Sequence, residues 1–124
     1  MFLNLNSKVL TLVLVIGGMC PTFVCADNFE DAVNAINSHN YKTAFKIIMP
    51  LAEKGQAAAQ LVLGMMYFKG TGVEKNIVEA DKWLLISEKL GQEAGKKNRI
   101  FVERKMNSDQ KVKAHQLAES WLKK

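Results

Sequence analysis

Cysteine is scarce in this chain of 124 residues: Cys20 and Cys25 are the only two, and both lie before Asp27. From Asp27 onward there is no thiol, which excludes a disulfide framework for that segment. Roughly 100 residues must then stabilise themselves by packing alone, which one small helical domain can do. Histidine is as rare. His39 and His115 stand far apart in sequence with no carboxylate at ligand spacing, so no metal site is expected. No cofactor is expected either. Catalytic signatures are equally thin. Ser108-x-x-Lys111 and Ser120-x-x-Lys123 match the Ser-x-x-Lys pattern of penicillin-interacting enzymes, but neither companion motif is present. A lysine-rich chain yields such matches by chance, and Ser108 is better placed as a helix cap. Gly91-x-x-x-Gly95-Lys96 falls one residue short of a phosphate loop and lacks a preceding strand, so it marks a repeat boundary.

Long apolar runs are missing too, with one short exception. Lys8 precedes an apolar run over residues 9–19, which Pro21 breaks, and Val24-Cys25-Ala26 follows with small residues at the third and first positions. This is the three-part pattern of a secretory signal peptide, and the run is too short to span a bilayer. An uncleaved membrane anchor is the alternative. A lipoprotein signal is disfavoured because Met19 and Val24 precede the cysteines. The expected division is residues 1–26 as signal peptide and 27–124 as a single helical-repeat domain, secreted or periplasmic, without stable membrane insertion.

What remains is helical punctuation. Residues 57–68 and 76–90 are amphipathic and flank a loop over 69–75. Gly70 and Gly72 can take positive φ there, and Asn76 is a candidate N-cap. Gly64 sits inside the first of these helices, where glycine costs roughly 1 kcal/mol relative to alanine. Close approach of a neighbouring helix at Ala80 is the compensating reason. Earlier in the chain, residues 27–39 read as a helix capped by Asp27 or Asn28, with Phe29, Ala32, Val33 and Ile36 on one face. Tyr41, Ala44, Phe45, Ile48 and Ala52 form the stripe of a second helix, in which Pro50 predicts a local distortion rather than an end. Residues 92–106 are polar and basic, and Ala114, Leu117, Ala118 and Trp121 build a last amphipathic helix capped by Asn107 or Ser108.

Shifting the sequence by 36 residues superposes Asn40 on Asn76, Ala44 on Ala80, Lys46 on Lys82 and Gly55 on Gly91. Gln56 then meets Gln92, and Ala58 meets Ala94. A fixed period in the range of roughly 20–50 residues marks a solenoid, whose units bury their faces only by stacking. The run Ala57-x-Ala59-Gln60-x-x-Leu63-Gly64-x-Met66-Tyr67-x-x-Gly70-x-Gly72-Val73, followed by Ala80-x-x-Trp83 and Gly91, resembles the Sel-one-like repeat (SLR) family of tetratricopeptide-like proteins, in a small exported bacterial form. Asn76 and Ser87 depart from its pattern, where aspartate and alanine are usual. The resemblance implies an all-α solenoid of about three antiparallel helix pairs: 27–54, the best-matching repeat 55–91, and a degenerate capping pair 92–124. It also implies a binding scaffold rather than an enzyme.

Charge is uneven. Residues 27–94 hold 7 lysines against 9 acids, whereas residues 95–124 hold 9 basic residues against 3 acids. The basic end favours an acidic partner, or is simply a solvated capping face. No nucleic acid is expected. In tetratricopeptide-like solenoids the first helix of each pair lines the concave side, which by resemblance places Phe29, Val33, Ile36 and Ala58 there with Leu61, Met65 and Phe68, then Phe101 and Arg104. The expected partner-binding residues are Leu61, Met65, Phe68, Lys69, Lys97, Phe101 and Arg104, unless the apolar stripe closes on itself as core. The resulting expectation is a monomeric, non-catalytic module that binds a protein or peptide. The alternative is an envelope-associated hydrolase, β-lactamase-like or acting on cell-wall peptides, with polar groups drawn from Ser38, His39, Ser108, Lys111 and His115.

The mature N-terminus is expected at Asp27. Intact-mass measurement on protein recovered outside the cytoplasm should return a chain starting there, and a full-length mass in the membrane pellet would contradict it.

Overall fold

Among the described residues, asparagine caps three of the six helices. The computed structural model describes residues 21–124, with side chains from Asn28 onward, and residues 1–20 of the expected signal segment lie outside the described residues. The helices are α1 (Pro21–Asn37), α2 (Tyr41–Glu53), α3 (Ala57–Lys69), α4 (Ile77–Lys89), α5 (Glu93–Glu103) and α6 (Ser108–Leu122), with no strand among the described residues. Asn40, Asn76 and Asn107 each accept a backbone N–H in the first turn of α2, α4 and α6. Each thereby satisfies donors that the helix start leaves free. At α6 the cap is reciprocal: Gln110 Oε1 accepts from Asn107 N at 3.0 Å while Asn107 Oδ1 accepts from Gln110 N at 2.8 Å. Ser108 is therefore the first helical residue and not the cap.

The repeat period has a structural meaning at almost every matched position. Asn40 and Asn76 cap equivalent helices, and Ala44 and Ala80 are both fully buried. Gly55 and Gly91 adopt φ of 97° and 95°, which reverses the chain between one pair and the next. Gln56 and Gln92 then open α3 and α5. Between α3 and α4, Gly70 and Gly72 take the positive φ values expected of them. The α2 helix runs through Pro50 to Glu53 without ending there.

One boundary differs. The first described helix, α1, spans Pro21–Asn37, so Asp27 and Asn28 lie within it and do not cap it. Nothing in Val24-Cys25-Ala26 interrupts it.

The helices pack in sequence, α1 on α2, α2 on α3, α3 on α4, after which α5 and α6 both rest on α4. The last two helices are thus less a self-contained pair than two covers for the same neighbour. Ala80, Asp81 and every residue from 83 to 87 are buried as a result. Trp83, Leu84 and Ile86 each remove a large apolar side chain from water, worth roughly 1.5–3 kcal/mol apiece. Trp121 of α6 meets Trp83 edge to face, with ring centroids 5.9 Å apart. Two buried polar side chains tie helix ends together. Gln60 Nε2 donates to the Ala52 carbonyl at 3.0 Å, and Ser87 Oγ donates to the Ala57 carbonyl at 2.8 Å. The hydroxyl gives Ser87 a bond that alanine at this position could not make. None of the described helices is long and apolar enough to cross a membrane.

Gly64 and Gly95 set how near α3 and α5 come to α4. A Cβ on Gly64 would stand 2.8 Å from Leu84 Cγ and 3.0 Å from the Ala80 carbonyl oxygen. A Cβ on Gly95 would stand 3.0 Å from Glu88 N and 3.1 Å from the Leu84 carbonyl oxygen. Such contacts are repulsive, and overpacking typically costs about 1–3 kcal/mol. At Gly64 an alanine gains up to about 1 kcal/mol of helix propensity in return. Gly64→Ala should therefore lose about 1 kcal/mol in urea denaturation and Gly64→Leu distinctly more. Wild-type stability in the leucine variant would refute the close contact.

Candidate functional site

Alternate helices, α1, α3 and α5, contribute to an open groove of about 370 Å³. Its walls are Ile36 from α1, Leu61, Val62, Met65 and Met66 from α3, and Asn98 from α5. Tyr41, Lys69 and Thr71 complete the lining. The helical spacing of Leu61, Met65 and Lys69 puts them on one stripe of α3. Two local features hold Tyr41 in place. Tyr41 Oη lies 2.9 Å from His39 Nδ1, and the Gly72 backbone packs so near the Tyr41 carbonyl that no Cβ would fit between them. This groove is apolar with a few polar groups at its margin, the usual makeup of a binding cleft.

Of the seven residues expected to bind, Leu61, Met65 and Lys69 line this groove. Leu61, Met65 and Phe68 are half-buried and also pack against the cluster of Ala80, Leu84, Val102, Met106 and Ala114. They are therefore partly core and partly surface. Phe68 sits edge to face with Phe101 at 5.7 Å, and Phe101 remains 48% exposed. Lys75 and Lys105 stand over these two rings at 5.8 and 5.5 Å. Lys97 and Arg104 are exposed and do not border the groove. Ile36, expected on the concave side, is in the groove, whereas Val33 is 37% exposed and outside its lining. Tyr41 and Asn98 were absent from the expected set, because nothing in their own periodicity points at α3.

A second constellation forms where α4, α5 and α6 meet. Asp81 is fully buried, and neither carboxylate oxygen has a hydrogen-bond partner among the described residues. Nearby, Glu103 Oε1 lies 3.3 Å from His115 Nε2 and also accepts from Arg99 Nη1. Arg99 Nε donates in turn to Glu88 Oε2 at 2.6 Å. Burial pushes the Asp81 carboxyl up to about 6, aided by the Glu103 charge and opposed by His115, Arg99 and Lys111. Burial would raise Glu103 as well, but hydrogen bonds from His115 and Arg99 prevail and hold it below its ordinary value. The Glu88 hydrogen bond keeps the Arg99 guanidinium firmly charged. One ligating atom from each of Asp81, Glu103 and His115 lies within 4.8 Å of the other two. The view of His115 as remote from any carboxylate is corrected here, since the fold supplies neighbours that sequence spacing does not show.

The polar groups considered for hydrolysis do not converge. His39 bonds Tyr41 near the start of α2, and His115 bonds Glu103 across α5 and α6. Among the described residues, no hydrogen bond joins Ser38 or Ser108 to a histidine or to Lys111. Ser38 and Ser108 are exposed, one after α1 and the other at the start of α6.

No protein-family model matches the chain, and no curated protein matches it by sequence. Among solved structures it is similar to a protective antigen present in uropathogenic Escherichia coli strains, described as displaying an SLR fold. The two are 28% identical with a TM-score of 0.74, over 81% of this chain and 22% of that one. The chain thus spans under a quarter of the length of the protein it matches.

The buried carboxyl makes stability depend on pH. The folded state holds the Asp81 proton more tightly than the unfolded chain, whose carboxyl keeps the ordinary value of 3.8. Its stabilising contribution is complete below about pH 4 and is lost as pH rises through about 6. Urea denaturation in a chelating buffer should show wild type losing on the order of 2 kcal/mol between about pH 4 and pH 7 relative to Asp81→Asn. Parallel pH profiles would refute the assignment.

Proposed function

We propose that this chain, which has the Sel-one-like repeat fold, is a non-catalytic interaction module that receives an apolar segment of a protein or peptide in the groove across α1, α3 and α5. The observation that carries this is the lining itself: four half-buried apolar side chains, Ile36, Leu61, Val62 and Met65, over the buried Met66, with Lys69, Tyr41 and Asn98 also bordering it. Unbranched Met65 and Met66 can reshape around different apolar anchors. A volume of about 370 Å³ falls within the usual span of small clefts and is enough for a short run of side chains. Lys69 within the groove, with Lys75 and Lys105 over the neighbouring aromatic pair, favours a segment whose anchors are flanked by acidic residues. The Val24-Cys25-Ala26 pattern supports placing this module outside the cytoplasm. An envelope hydrolase finds no such support, because its candidate serines and histidines stand apart.

The test is selection of binding peptides from a random displayed library on the immobilised protein. Selected peptides should carry two or more apolar residues beside an acid. Met65→Glu should weaken their binding at least tenfold, about 1.4 kcal/mol, with little change in thermal midpoint. Lys69→Glu, at an exposed position, should weaken the acidic peptides most. Binders indifferent to both substitutions would refute the groove, and a large fall in melting temperature for Met65→Glu would assign that residue to the core.

A further inference from the structure

Among the described residues, Asp81 is a fully buried carboxylate with both oxygens unpartnered. It lies inside the junction of α4, α5 and α6 with both oxygens out of contact with water. None of the charged groups facing it donates a hydrogen bond to it. From α5, Glu103 repels it, while Arg99 is spent on Glu88 and Glu103. From α6, His115 bonds Glu103, and Lys111 acts only through its charge. Two carboxylates facing one another at this depth call for something positive between them.

We propose that Asp81, Glu103 and His115 form a binding site for one borderline divalent cation of the zinc or cobalt type. Ligating atoms of all three already lie within 4.8 Å of one another. The 3.3 Å between His115 Nε2 and Glu103 Oε1 is the spacing of two ligands on a tetrahedral ion, since bonds of about 2.0–2.1 Å place them about 3.3 Å apart. An Asp81 oxygen supplies the third ligand after a side-chain adjustment of up to about 1.5 Å, and water completes the set. One imidazole with two carboxylates selects against calcium and magnesium, which take oxygen ligands. Arg99 plays two parts: its hydrogen bond orients Glu103, while its charge moderates affinity. The ion has a route in, because the His115 side chain is 47% exposed and borders a surface depression with Glu103, Lys111 and Val112.

Without the ion, His115 bonds Glu103 through a proton on Nε2. The cation takes the place of that proton on Nε2, and the metal-bound ring carries its proton on Nδ1. Asp81 releases whatever proton it holds. Binding should therefore be tighter at about pH 8 than at about pH 6.

Cobalt titrated into the tag-free full chain should bind at one equivalent, develop visible absorption, and be displaced by zinc. Asp81→Asn and His115→Ala should each weaken binding by more than about 10–100-fold, beyond what loss of an outer-shell partner does. His39→Ala should leave it unchanged. The exposure of His115 makes its alanine variant the safer one for folding, which circular dichroism checks. Failure of both metals to bind, survival of binding in either ligand variant, or its loss in His39→Ala would overturn the assignment.

Discussion

The enclosure of α4 is the constraint on which this structure depends. Helices α3, α5 and α6 all pack on it, and a helix with neighbours on three sides has almost no face left for water. Such packing demands close backbone approach, which Gly64 and Gly95 provide by lacking the atom that would meet Leu84, Ala80 and Glu88. Bulk on α4 is concentrated at Trp83, Leu84 and Ile86, and small residues occupy the crossing points at Ala80 and Ser87. Interiors packed at crystal-like density tolerate little change in volume, so these choices depend on one another.

Enclosure also decides what becomes of polar residues on α4. Ser87 finds the Ala57 carbonyl and ties the end of α4 to the start of α3. Asp81 finds no donor, although Arg99 and His115 are close enough to influence its proton affinity. A buried carboxylate without a partner is costly, and such local conflicts in an otherwise consistent fold tend to coincide with function. The groove across α1, α3 and α5 depends on α4 less directly. Leu61, Met65 and Phe68 rest on the cluster around Ala80 and Leu84, so the packing behind them gives the groove a rigid floor. Groove and carboxylate cluster thus share only α5, which gives Asn98 to one and Glu103 to the other.

Much of this was written locally. Asn76 as a cap, the turn glycines and the intimate contact at Gly64 follow from residue chemistry within a few positions, as does the passage of α2 through Pro50. The 36-residue period added that Asn40 and Gly55 repeat the tasks of Asn76 and Gly91. Local cues were weaker at the ends. The passage of α1 through Asp27 and Asn28 was missed because both are good caps wherever they fall, and propensity alone does not say whether a helix already exists. Asn107 rather than Ser108 caps α6, a choice that two adjacent capping residues leave to backbone geometry.

By itself the sequence determined the helices, their punctuation and the repeat that stacks them, because hydrogen-bond capping and apolar periodicity act over a single turn or unit. It also determined that α3 would present Leu61, Met65 and Lys69 along one stripe. Only the tertiary structure decided which distant side chains would meet. Tyr41 and Asn98 joined the groove because α2 and α5 happen to flank α3 at that height. Asp81, Glu103 and His115 came together because α5 and α6 both close on α4, an arrangement governed by helix packing over the whole chain. Spacing along the chain carries no information about contacts of that kind. They are created by burial, which is a property of the assembled core and not of any segment within it.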